Sequence, residues 1–163
     1  ETARVSVAAG PEGTVLLSNP VFLSAIFSLL TAQFLKAVVN LLRSKARNLR
    51  DVLVTFFWKT GGMPSSHSAL AVSIATAIAF REGLDTSVFV LAAFFALVVI
   101  RDALGVRRAA GLQARTLNLL GKELNLKQGI TYRPVKEVHG HTPAEVLIGA
   151  LLGFFIALAF CTL

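Results

Sequence analysis

Four apolar stretches, separated by polar or basic segments, constrain this chain more than any other feature in it. Residues 20–42 (PVFLSAIFSLLTAQFLKAVVNLL) and 143–162 (PAEVLIGALLGFFIALAFCT) each supply the roughly 20 residues a helix needs to cross a hydrocarbon core of about 30 Å. Residues 64–80 and 87–100 form two further runs, with Leu104 trailing the second. A tight polar turn at Arg81, Glu82, Gly83 and Asp85 joins them, and they read as a helical hairpin with Thr86 or Ser87 as its cap. Hydrophobic residues reach 55% and charged residues only 15%, where soluble domains have about 45–50% and about 25%. A soluble domain of 163 residues has too little interior for that much apolar surface. Between 101 and 140 the chain is polar and basic, but Leu112, Leu119, Leu120 and Leu124 gather near one face, which predicts an amphipathic or partly buried helix over about 107–126. The expected fold is all-α: a polytopic membrane bundle of four transmembrane helices plus an amphipathic helix. It covers residues 20–163 behind an irregular leader at 1–19.

The charges orient this bundle. Of the 16 Lys and Arg residues, only Arg4 and Arg81 fall on the side of the N-terminus and the 81–86 turn. The other 14 lie in or beside segments 43–60 and 101–140, which the positive-inside rule puts on the cytoplasmic side, or the stromal side in a plastid. Both termini then face the opposite side. A net charge of +7 distributed in this way speaks for topology and anionic lipid head groups rather than nucleic acid. Phe56, Phe57 and Trp58 read as an interfacial aromatic anchor. Cys161 is the only cysteine, which excludes a disulfide framework. The chain opens at Glu1 rather than Met and is expected to be a processed or partial product. A plastid membrane is the expected address, with a bacterial inner membrane as the alternative. Membrane lipids are the expected surroundings, and other membrane subunits are candidates to hold residues 1–19 in place.

Ionisable groups at or in a membrane are costly, and are functional candidates by default. Lys36 and Arg43 lie two helical turns apart, on one face near the basic end of the first span; snorkelling to the head groups is the bland alternative. His67 sits in GGMPSSHS at the start of the second span, where glycines, the hydroxyls of Ser65 and Ser66 and free helix-end N–H groups suit an anion. His141 and Glu145 lie four apart in GHTPAEV at the start of the fourth span. At that spacing a carboxylate can fix the imidazole's tautomer and steady its cation, and Thr142 with Glu145 also forms a capping pattern. Arg107 and Arg108 follow the third span, and guanidinium forks suit phosphate oxygens. Three histidines and a glutamate, His139 included, could instead be read as a zinc set, but the surrounding Arg and Lys favour an anion over a cation. Neither a metal nor a cofactor is expected. Hydropathy and charge alone thus gather Lys36, Arg43, His67, Arg107, Arg108, His141 and Glu145 at one membrane face.

Three segments, GGMPSSHSA, RDALGVRRAAG and GHTPAEVLIGALLG, together resemble the divergent branch of the type 2 phosphatidic acid phosphatase superfamily, often labelled acid phosphatase/vanadium-dependent haloperoxidase-related. The resemblance covers about residues 20–160. The superfamily's first motif, Lys, six residues, Arg-Pro, is similar to Lys36 through Arg43, with Ser44 in place of Pro. Its second, Pro-Ser-Gly-His, is similar to Pro64 through His67, with Ser66 in place of Gly. Its third places His and Asp where His141 and Glu145 stand, and an Arg where this chain has Val135. The resemblance implies a metal-independent lipid-phosphate phosphatase acting on a phospholipid phosphate monoester. It implies His141 as nucleophile, Glu145 as its support and His67 as acid and base. Lys36, Arg43, Ser65, Ser66 and Arg107 or Arg108 are implied to hold the phosphate. The alternative is a structural subunit of a larger membrane complex that has kept the fold without the reaction.

Overall fold

A computed structural model describes residues 16–42, 62–137 and 140–163. These residues form five long helices: α1 (Pro20–Leu42), α2 (Ser66–Glu82), α3 (Ser87–Leu104), α4 (Val106–Gln128) and α5 (Pro143–Thr162). No strand occurs among the described residues. The helix boundaries follow the local chemistry. Asn19 Oδ1 accepts from the Val21 N–H at 2.8 Å and starts α1. Ser65 caps α2, Thr86 caps α3, and Thr142 with Glu145 builds a full capping box on α5 just before Pro143. Gly83 and Gly129, both at positive φ, end α2 and α4.

Three stretches are long and apolar enough to cross a membrane: Pro20–Leu42, the continuous Ser87–Gln128 region and Pro143–Thr162. At about 1.5 Å per residue, α1 extends about 34 Å. Helix α2 has only 17 residues and is less apolar, yet it is the hub of the bundle, packed against α1, α3 and α5. Its low hydropathy has a structural cause: its inner positions are small and often hydroxylated, with Ser68, Ala69, Ser73 and Ala77 fully buried.

The interior is inverted relative to a water-soluble protein. Among the described residues, the largest fully buried side chains are serines, at positions 24, 28, 65, 68 and 73. Leu91, Phe94 and Val98 of α3, and Leu147, Leu151 and Phe155 of α5, point outward and are largely exposed. Lipid tails are as apolar as leucine, so nothing drives these side chains inward; helices instead associate where small residues let backbones touch. Gly149, Gly153 and Ala157 recur every fourth residue along α5, and Ser65, Ala69, Ser73 and Ala77 do the same along α2. A Cβ at Gly149 would run into the Ser65 carbonyl, and one at Gly153 into the Ala69 carbonyl. The chain is an integral membrane protein whose helices meet through glycine, alanine and serine.

This packing carries a prediction. Gly153→Leu should destabilise the bundle by about 1–3 kcal/mol or more through overpacking, whereas Leu151→Ala, on the outer face, should be close to neutral. Thermal unfolding of the detergent-solubilised protein checks this. Equal losses in the two variants would contradict a backbone-contact interface.

Candidate active site

The alternating direction of the helices brings four sequence-distant segments together at the basic end. The link between α2 and α5 is a main-chain hydrogen bond: the Ser65 N–H donates to the Glu145 carbonyl at 3.0 Å. The start of α2, with His67, is thereby fixed beside the start of α5, with His141. Gly140 lies against the Arg108 backbone so closely that any side chain there would collide with it. That contact seats the α3–α4 junction next to His141. Gly62, at φ +95°, takes a backbone angle that favours glycine, and a Cβ there would stand 3.8 Å from Lys36 Cγ. Pro64, whose peptide bond to Met63 is cis, is buried between Gly62 and the α2 cap.

Within this junction, His141 is 6% exposed and its Nδ1 lies 3.2 Å from Glu145 Oε2. The same carboxylate oxygen accepts the Thr142 N–H at 3.0 Å, so the capping box and the histidine share one anchor. With Nδ1 held by the carboxylate, Nε2 is the nitrogen left for chemistry. Burial holds the His141 pKa below the ordinary imidazole range; the hydrogen bond and charge of Glu145 oppose that shift, while Lys36 and Arg107 reinforce it. His67, by contrast, is exposed, and it senses the charges of Arg107, Lys36 and His141.

Lys36 does not snorkel. It is 2% exposed, and the charge of Glu145 acts on it from α5. Arg107 donates from Nε to Asp102 Oδ2 at 2.7 Å, which joins α3 to α4. Of the two arginines left open by sequence, Arg107 is the one whose charge reaches both His67 and His141. Arg108 supplies the backbone on which Gly140 rests. The Ser65 hydroxyl pairs with that of Ser68 at 2.9 Å and also accepts, at 3.4 Å, from the Ser68 N–H, and Ser66 is buried at the first position of α2. Arg43, His139 and the aromatic triplet Phe56 to Trp58 lie outside the described residues, as do residues 1–15. Among the described residues, no three His, Cys, Asp or Glu side chains converge as metal ligands would.

Sequence reasoning singled out the glycines before Pro64 but missed Gly140, Gly149 and Gly153, which bring the helices of this site together. The four-residue recurrence of Gly149 and Gly153 was a readable signal for close helix contact. Gly140 had no such signal, because its partner is 32 positions away, at Arg108.

A buried imidazole held by a carboxylate four residues on, with a second imidazole and two cations nearby, sits in a frame of apolar helices long enough to cross a membrane, as in a phosphatase-related membrane protein. The chain belongs to the Divergent PAP2 family, which matches residues 17–156. It is similar to the uncharacterized membrane protein YuiD of Bacillus subtilis (strain 168), at 38% identity over 154 residues covering 88% of this chain and 94% of the relative. No solved structure matches it.

The His141–Glu145 pair yields a direct test. In an NMR titration of the imidazoles, His141 should protonate below the ordinary histidine range. Because Glu145 raises the value, Glu145→Gln should move it lower still. An unchanged or raised midpoint in the variant would contradict the geometry.

Proposed function

We propose that this protein is a membrane lipid-phosphate phosphatase that hydrolyses a phosphate monoester through a phosphohistidine at the basic membrane face. The observation that carries this reading is the part-buried Glu145–His141 pair, within reach of the charges of Lys36 and Arg107, with an exposed His67 at the neighbouring helix start. In the first step His141 Nε2 attacks phosphorus in line. The bond to the ester oxygen breaks, and His67 donates its proton to that oxygen as the alcohol leaves. Glu145 steadies the positive charge that the His141 ring takes on. In the second step His67 accepts a proton from water as the water oxygen attacks phosphorus, the N–P bond breaks and inorganic phosphate departs.

Lys36 and Arg107 stand where charge grows on the transferring group, and the first N–H groups of α2 point toward the same end, an arrangement suited to a phosphoryl group. Arg43, seven residues after Lys36 in the sequence, and Arg108 are the remaining motif cations. In this reading Arg107 replaces the superfamily's third-motif arginine, whose place is taken here by Val135. A site at the membrane surface suits a substrate whose acyl chains stay in the bilayer, such as phosphatidate or phosphatidylglycerol phosphate. Helix α2 serves as the fourth span, its short and small-residue course shielded from lipid by α1, α3 and α5. The basic face is cytoplasmic by the positive-inside rule. The similar protein is bacterial, and nothing in the fold points to a plastid.

The purified protein in detergent, without added metal, should release phosphate from one or both lipids. His141→Ala should abolish release, and His67→Gln should slow it by about 10²–10⁴-fold. A well-folded wild-type protein that releases none across pH contradicts the enzyme reading and favours a scaffold role.

A further inference from the structure

Helix α4 is the least accounted-for element. It is 23 residues long, packs against α3 but makes little contact with the rest of the bundle, and is the most amphipathic of the described helices. One side is covered by the chain itself. Residues 130–137 run back along it, held by Asn118 Nδ2 to the Val135 carbonyl (2.9 Å), the Val135 N–H to Asn118 Oδ1 (2.8 Å) and Asn125 Nδ2 to the Ile130 carbonyl (3.1 Å). The Tyr132 ring sits over Gly121, which leaves no room for a Cβ. Asn118, Gly121 and Asn125 share one helical stripe, so the return segment occupies that stripe.

The opposite half is exposed and rich in leucine. Leu112, Leu117, Leu119, Leu120 and Leu124 are 44–59% exposed there. A flank of Arg108, Arg115 and Lys122, spaced every seven residues, borders the Leu112 and Leu119 row. Between the leucine rows the only acidic side chain, Glu123, is paired with Lys127 at 3.8 Å. Residues 106–137 carry seven Lys and Arg against two Glu, so two copies meeting through this face would bring like charge onto like charge. An anionic lipid surface matches both the leucines and the cations.

The elbow before α4 fits the same surface. Gly105 leaves helical geometry at φ −102° and ψ −86°, and an open cleft of about 570 Å³ forms there, lined by Leu97, Ile100, Arg101, Leu104, Gly105 and Val106. Its walls are mostly apolar with one cation among them, as suits acyl chains below a head group.

We infer that α4 lies in the plane of the membrane at the head-group level of the basic face, leucines toward the acyl chains and return segment toward water, bound to the anionic lipids of the leaflet. Arg107 and Gly140, and through them His141, are then held at the depth of lipid phosphates. The inference does not depend on turnover.

The test uses a single indole in a Trp58→Phe background, introduced as Leu119→Trp, Leu120→Trp or, on the return segment, Lys136→Trp. Each protein is reconstituted in phosphatidylglycerol vesicles with or without brominated acyl chains. Bromine should quench emission at 119 and 120 but not at 136. Arg115→Gln with Lys122→Gln should shift the helix toward water by about fivefold per side chain, read as a growing unquenched population. Water-like, unquenched emission at 119 and 120 overturns the inference. So does blue-shifted emission that bromine does not reach, which would assign the face to a second copy, and so does equal quenching at 136. Amide exchange of the unsubstituted protein provides a second reading. Exchange across α4 should be slower in phosphatidylglycerol than in phosphatidylcholine nanodiscs, and equal exchange in the two contradicts the inference.

Discussion

The contact of α2 with α5, backbone against backbone, is the constraint on which the remaining structure depends. With no hydrophobic force available between helices in lipid, Gly149 and Gly153 let the Ser65 and Ala69 carbonyls approach to contact, and the Ser65 N–H closes on the Glu145 carbonyl. That single register decides which residues face one another at the basic end. It sets the His67 turn beside the His141 turn, and leaves α1 and α3 to pack around the pair. A side chain larger than hydrogen at either glycine would collide with the α2 backbone and force α5 to shift.

The second constraint is the cost of charge at such a place. Lys36 is buried on α1, and the Glu145 carboxylate on α5 opposes the cost of placing a cation there. The same carboxylate caps α5 through Thr142 and holds His141, so one anion serves helix ending, charge compensation and imidazole orientation. Arg107 is reached differently, across the Gly105 elbow, with Asp102 on α3 and Arg107 on α4 closing the bend. Val135, where the superfamily pattern places an arginine, is tied to Asn118, three turns along α4 from Arg107. The arginine whose charge reaches the histidines is Arg107, at the α3–α4 junction.

Much of this was legible in the sequence, for reasons that differ by element. The limits of α1 and α5 followed from hydropathy and from Pro20 and Pro143, and the Thr142 capping box followed from residue spacing. The gathering of Lys36, His67, Arg107, His141 and Glu145 followed from charge and topology together. The central place of α2 did not, because the serines and alanines that fit it for the interior also lower its hydropathy. Spacing could not separate Arg107 from Arg108 either, since adjacent residues differ only in direction around the helix. Nor could it reveal that Lys36 is enclosed, because burial of a lysine depends on what Gly62 and Glu145 bring to it from elsewhere in the chain.

The central claim is that His141 Nε2 is the atom that takes the phosphoryl group. The most direct measurement is to trap it: incubate the protein with a lipid phosphate labelled at phosphorus, quench at alkaline pH, where phosphohistidine survives, and map the label by peptide mass spectrometry. The account predicts label on His141, absent after His141→Ala and prolonged in His67→Gln, which forms the intermediate but hydrolyses it slowly. Phosphate release with no label on the chain, or label on another residue, would contradict it.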